Sequence, residues 1–116
     1  MLIETQPHGK ATLSATGTST TINVDYHNLK KAAHVLRALN HLLRQKILKL
    51  IEDEKKITVT EIYVRLRLEQ SVASQHLAIL RRAGIVITER DGKFIFYKVN
   101  YKRIDEINHF VEGLVK

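Results

Sequence analysis

Glu69 to Gly84 reads EQSVASQHLAILRRAG, and the fold turns on this stretch. Val72, Ala73, Leu77, Leu80 and Ala83 recur at three- and four-residue spacing, the signature of one helical face. Gln70, Ser71, Ser74, Gln75 and Arg82 occupy the other face. Slim polar side chains fill the first two turns. Arg81 and Arg82 fill the last, where cations suit the helix dipole. Gly84 supplies the left-handed residue that ends the helix. An ordinary amphipathic surface helix would share this pattern. A helix entering the DNA major groove requires it, because short polar groups must reach base edges while an apolar back holds a core.

Directly downstream come Ile85 to Arg90, Asp91-Gly92, and Phe94 to Val99. Both flanks are rich in β-branched or aromatic residues, and Asp-Gly between them is a strong hairpin signal. Arg90 and Lys93 flank the tip. Directly upstream, Thr58 with Glu61 three residues on forms a capping box, opening a short helix to about Leu66. Arg67 to Gln70 then turns the chain into the long helix, a helix-turn-helix arrangement. A charged hairpin beside it is a wing, placed to touch phosphates or the minor groove. Ile57 is the rung of a short strand.

Further out, Asp25 can cap a helix over about Tyr26 to Leu39, with Leu29, Ala32, Ala33, Leu36 and Leu39 as its stripe. Asn40 can break and recap the chain before a helix from Leu42 to about Asp53. A last helix over about Lys102 to Val115 carries Ile104, Ile107, Val111, Leu114 and Val115. The helix-turn-helix needs neither terminal helix, so Leu29, Ala33, Leu36, Ile104, Ile107, Val111 and Leu114 are expected at a homodimer interface. The expected order is α-α-α-α-β-β-α, a mainly α winged helix-turn-helix spanning residues 23–116. Residues 1–22 are expected to be a disordered tail. Nine of the thirteen residues from Gly9 to Thr21 are Ser, Thr or Gly, too few apolar groups to offset ordering entropy.

Composition narrows the function. The 116 residues carry a net charge of +7 and no cysteine. Residues 65 to 103 hold nine Lys or Arg against three acids, so +6 of that charge sits in a third of the chain. Such a concentration is the footprint of a polyanion binder, here double-stranded DNA. Disulfides and thiolate metal sites are excluded. No apolar run suits a membrane span or signal peptide, so a soluble, cytoplasmic protein without a membrane partner is expected. No paired carboxylates, Gly-rich phosphate loop or Ser-His-Asp arrangement points to an enzyme.

The sequence resembles the ArsR/SmtB-type winged-helix transcriptional repressors. The likeness rests on LNHLLRQKIL (39–48), VTEI (59–62), QSVASQHLAILRRAGIV (70–86) and FYKVN (96–100), and covers about residues 26 to 115. The pattern S-x-x-S-x-H-L, then L-x-x-A-G-h-V (h apolar), is its most specific part. The resemblance implies a homodimer on an imperfect inverted repeat, in many members released by metal. This chain departs from the pattern at Leu42 (commonly proline), Arg67 (commonly glycine, so the turn is expected to be strained) and Glu69 (usually a small capping residue). The family's cysteine pair corresponds to Glu61–Val64. Its last-helix ligands correspond to Tyr101, Arg103 and Leu114, none of the required kind.

The expected DNA-contacting set is therefore Gln70, Ser71, Ser74, Gln75, His76, Arg82, Arg90 and Lys93. His76 also reads as a structural hydrogen-bonding residue at the helix-hairpin junction. Arg44 can reach a phosphate, cap a helix end or pair with Glu61. No metal or other cofactor is expected. His109 and Glu112 have ligand spacing but number only two. His27, His34 and His41 recur every seven residues, about 10.5 Å per step along a helix, too far apart for one ion within a chain. Two other readings remain: a non-specific, chromatin-like DNA binder, and a protein-interaction winged helix. The outward Gln, Ser and Arg side chains argue against the second.

Overall fold

The structure is a computed structural model that describes residues 2–5, 10–14 and 21–116. The chain divides into two compact units, residues 1–35 and 36–116.

In the first unit, β1 (Leu2–Thr5), β2 (Lys10–Ser14) and β3 (Thr21–Asp25) form an antiparallel sheet in that order. The pairing runs from Leu2 opposite Ser14 to Thr5 opposite Ala11, then from Lys10 opposite Asp25 to Ser14 opposite Thr21. A disordered tail over 1–22 was expected from the Ser/Thr content. At the described strand residues the structure differs. Threonine is β-branched, so the composition that argues against a core still suits a strand. The rest of that tail, residues 1, 6–9 and 15–20, lies outside the described residues. Asp25 then caps α1 (Tyr26–Leu39) as expected, its Oδ1 accepting from the Asn28 backbone N–H at 3.1 Å.

The second unit holds the end of α1, then α2 (Leu42–Glu54), β4 (Ile57–Thr58), α3 (Val59–Arg65), α4 (Gln70–Arg82), β5 (Val86–Asp91), β6 (Phe94–Val99) and α5 (Tyr101–Val115). From α1 onward this is the expected order, with the short strand at Ile57 formed. The sheet order is β4-β6-β5, all antiparallel. Ile47 and Ile51 of α2, Ile57, Ile62 of α3, Leu77 and Leu80 of α4, Ile85 and Val86 are fully buried. Each contributes about 1.5–3 kcal/mol of burial. They bind α2, α3, α4 and the base of the hairpin into one core.

Boundaries shift by a residue where caps decide them. The Asn40 N–H still bonds the Leu36 carbonyl and so completes α1. The residue capping α2 is therefore His41, in extended backbone, rather than Asn40. Thr58 caps α3 and accepts from the Glu61 N–H, as the capping box predicts. At the end of α4, Gly84 N–H bonds Arg81 O at 2.9 Å and Ile85 N–H bonds Leu80 O at 3.0 Å. This is a Schellman closure with Gly84 at φ +76°, and it delays β5 to Val86. The same closure ends α3, where Leu68 N–H bonds Tyr63 O and Arg67 N–H bonds Val64 O. The left-handed residue there is Arg67, φ +55°, the strain expected where the family commonly has glycine.

Candidate nucleic-acid interface

Helix α4 presents its outer face as the sequence predicts. Gln70, Ser71, Ser74 and Gln75 are exposed, while Ala73, Leu77 and Leu80 are buried. Glu69 is in extended backbone but makes no capping hydrogen bond. Its longer side chain does not fill the role of the small residue usual at an N-cap. At the C-terminal end of α4, Arg82 Nε donates to Ala78 O one turn back at 3.4 Å, which lays the guanidinium along the helix.

The hairpin adds a second wall. Antiparallel pairing sets Val86 opposite Val99, Thr88 opposite Tyr97 and Arg90 opposite Ile95. Side chains alternate along strands, so these six share one face of the hairpin. Val86 and Val99 are buried at its base. Farther out, Tyr97 joins Ser74, Ala78, Arg81 and Arg82 in lining an open groove between α4 and the hairpin. Arg90 lies on the same face nearer the tip, its Nε donating to Gly92 O at 3.3 Å. Tyr97 and Arg81 were absent from the expected contact set. The alternation of β6 could have placed Tyr97 beside Arg90, but only the packing of α4 on the hairpin makes them one groove.

The opposite face carries the hairpin's acids. Lys56 pairs with Glu89 at 3.5 Å and with Asp91 at 3.9 Å, and Lys98 pairs with Glu89 at 3.6 Å. Lys56 also sits 4.7 Å over the Phe96 ring, and Lys93 sits 5.4 Å over Phe94. Both wing carboxylates are thus neutralised on the back. Among the described residues, no carboxylate pairs with Arg81, Arg82, Arg90 or Lys93. The groove side is left with unopposed positive charge, the electrostatics that hold a phosphate backbone. Elsewhere in the basic region, Arg65 pairs with Glu54, and Arg103 donates to Ala83 O at 3.0 Å, so neither joins that surface.

Packing selects among the roles left open for His76 and Arg44. His76 is half-buried and faces α2, where its Nδ1 lies 3.2 Å from Arg44 NH1. It therefore stands apart from the exposed polar row, and its structural bond lies at the α2–α4 contact rather than at the hairpin junction. Arg44 is 7% exposed and reaches neither solvent phosphate nor Glu61. Of the three expected roles it takes the capping one, at the end of α1, donating Nε to Ala38 O at 2.7 Å and NH2 to Arg37 O at 3.0 Å. A sequence pattern reports the face a residue occupies but not the neighbour that face meets.

Of the residues expected at a dimer interface, Leu29, Val111 and Leu114 are exposed, and Ala33, Leu36 and Ile104 are half-buried. Ile107 is 7% exposed within the single chain, so it belongs to the monomer core. Phe110 and Val115, also exposed, extend the apolar surface of α5. His109 is exposed, and Glu112 beside it pairs with Lys116. His41 does not continue the α1 helix with His27 and His34 but caps α2. Among the described residues, no group of three or more His, Asp or Glu is placed to hold a metal, and no helix is long and apolar enough to cross a membrane.

Comparison with known proteins agrees with this geometry. Residues 43–88 match the family described as "Bacterial regulatory protein, arsR family". An HTH-type transcriptional regulator of Methanocaldococcus jannaschii is 35% identical over 85 residues, 73% of this chain and 96% of its own. The transcriptional repressor PagR of Bacillus anthracis is 33% identical over 93 residues, 80% of this chain and 86% of its own. The PagR crystal structure superposes with a TM-score of 0.59 at 30% identity, covering 77% of this chain and 98% of that one. HlyU of Vibrio cholerae, named as a transcriptional activator, superposes at 0.57 with 37% identity, covering 75% and 90%.

Proposed function

The chain belongs to the arsR family of bacterial regulatory proteins and is a sequence-specific DNA-binding transcriptional regulator, and from that premise we propose that it is a homodimeric repressor acting on an inverted-repeat operator in the cytoplasm. The observation that carries this reading is the exposed row Gln70, Ser71, Ser74 and Gln75 beside a groove with unopposed arginines. Serine hydroxyls pair with several base edges, and a glutamine amide matches adenine N6 and N7. The arginines and the wing supply phosphate contacts that set register without reading sequence.

Dimerisation is supported by the apolar surface of α5. Leu114 is 66% exposed, with Phe110, Val111 and Val115 around it, and a hydrophobic surface of this kind favours burial by a partner. A second copy is the simplest partner. Two-fold symmetry would set the two α4 helices about 34 Å apart, one turn of DNA. The likeness to PagR, named a repressor, favours repression; HlyU is named an activator.

The test is selection of binding sequences from a randomised duplex library, followed by transcription from a promoter carrying the recovered site. An inverted repeat whose occupancy lowers transcription is the expected result. Recovery of unrelated sequences with equal affinity would favour a chromatin-like binder, and raised transcription an activator.

A further inference from the structure

One buried cation ties three helices together. Arg44 donates to Ala38 O and Arg37 O at the end of α1, and its NH1 lies 3.2 Å from His76 Nδ1 on α4. Its own backbone N–H donates to His41 Nδ1 at 3.4 Å, in the cap of α2. The two imidazoles lie 5.0 Å apart between centroids, tilted by 46°. A guanidinium has donors only, so His76 Nδ1 must accept; an imidazolium has no acceptor. The same holds for His41 Nδ1 toward the Arg44 N–H. Both rings must therefore carry no proton on Nδ1, and a second proton on either breaks a bond and sets like charges together.

We propose that Arg44, with neutral His76 and His41 as its acceptors, is the positioning device that sets the angle of the recognition helix α4 against α2 and the last turn of α1, and hence its discrimination between DNA sequences. The proposal rests on the DNA-binding reading above. The polar row that faces DNA includes Ser74 and Gln75, immediately before His76 in α4, so a shift at this point moves the side chains that meet base edges. The groups facing His76 are Arg44 and His41 from α2, with the α1 carbonyls reached through Arg44. Among the described residues, no carboxylate pairs with either imidazole. Burial, reinforced by His41 and Arg44, lowers the His76 pKa from its usual 6.5. The folded state thus takes up its proton later than the unfolded chain. The stabilising contribution is complete above about pH 6.5 and is lost as pH falls toward the lowered value.

Acid also makes the chain as a whole more positive and strengthens binding to any DNA. The quantity to measure is therefore a ratio: affinity for a duplex recovered by this protein from a randomised library at pH 7.5, over affinity for a scrambled duplex of equal length. Between pH 7.5 and 5.5 the wild-type ratio should fall about tenfold, as protonation removes the acceptor that Arg44 requires. His76→Ala should show the low ratio at both pH values. In a His41→Asn, His76→Asn double variant, Oδ1 replaces Nδ1 as acceptor and neither position titrates. That variant should recover most of the ratio and vary less than about twofold with pH. Thermal unfolding followed by circular dichroism confirms that each variant is folded. If His76→Ala does not fold, the double variant decides the matter. An equal acid fall in the double variant, a pH-insensitive wild type, or a folded His76→Ala with the wild-type ratio would each overturn the positioning role alone. A wild type that selects no sequence at pH 7.5 would overturn the DNA-binding reading with it.

Discussion

Arg103 donates its Nε–H to the carbonyl of Ala83 at 3.0 Å, so the last helix holds the C-terminal end of the recognition helix. Asn100 strengthens the junction, donating Nδ2–H to Gly84 O at 2.9 Å while its Oδ1 caps α5 by accepting from the Arg103 N–H. The start of α5 is thus tied to the end of α4, with Gly84 at the point of closest approach.

That approach makes Gly84 hard to replace. Its φ is +76°, and an added Cβ would lie 3.3 Å from Arg103 Nε. Gly84→Ala should lower unfolding free energy by about 1–2 kcal/mol, the cost of a left-handed non-glycine residue. A urea titration measures it. An unchanged midpoint would mean the turn relaxes without cost.

Gln75 is exposed on the central turn of α4 and is expected to read a base. Gln75→Ala should cost about 1–3 kcal/mol on the selected site and much less on random duplex. Equal losses on both would place Gln75 among the phosphate contacts.

The wing should act through charge alone. Replacing Arg90 and Lys93 together by alanine should weaken binding to every sequence. It should also make the slope of log affinity against log salt shallower by up to about 2, one unit per lost phosphate contact. A slope that does not move would take the wing off the DNA.

The exposed face of α5 is expected to join two chains. Val111→Glu should give monomers in sedimentation and abolish operator binding, because one recognition helix reads only half a repeat. Leu36→Glu on α1 is expected to act likewise, although its half-buried position also threatens folding. A stable monomer with full affinity would refute the paired architecture.

Metal should not be the inducer. Tyr101, Arg103 and Leu114 stand at the family's last-helix positions, Arg103 is engaged by Ala83 O, and Glu112 is engaged by Lys116. Micromolar Zn²⁺, Ni²⁺ or arsenite should leave the DNA complex intact in a fluorescence titration. Chelator-reversible release that disappears in His109→Ala would show a site shared between subunits.

The helices, the hairpin and the outward polar row of α4 were legible in the sequence because each rests on local rules: apolar periodicity, the Thr58-Glu61 capping box, Asp91-Gly92, and Gly84 after the last turn. What only the tertiary structure decided is which faces meet. The sequence leaves Arg44 free to reach a phosphate, cap a helix end or pair with Glu61, and packing decides it: the end of α1 lies against Arg44, and the Arg37 and Ala38 carbonyls accept from it. His76 shares α4 with the exposed polar row, yet its azimuth turns it into α2. Tyr97 becomes part of a groove only because α4 packs beside β6. The strands before Asp25 show the same limit from the other side, since Ser/Thr-rich segments satisfy strand propensity and disorder alike. Local periodicity gives the direction of a side chain about its own element. The partner it meets depends on contacts between residues far apart in the chain, and no local pattern encodes those.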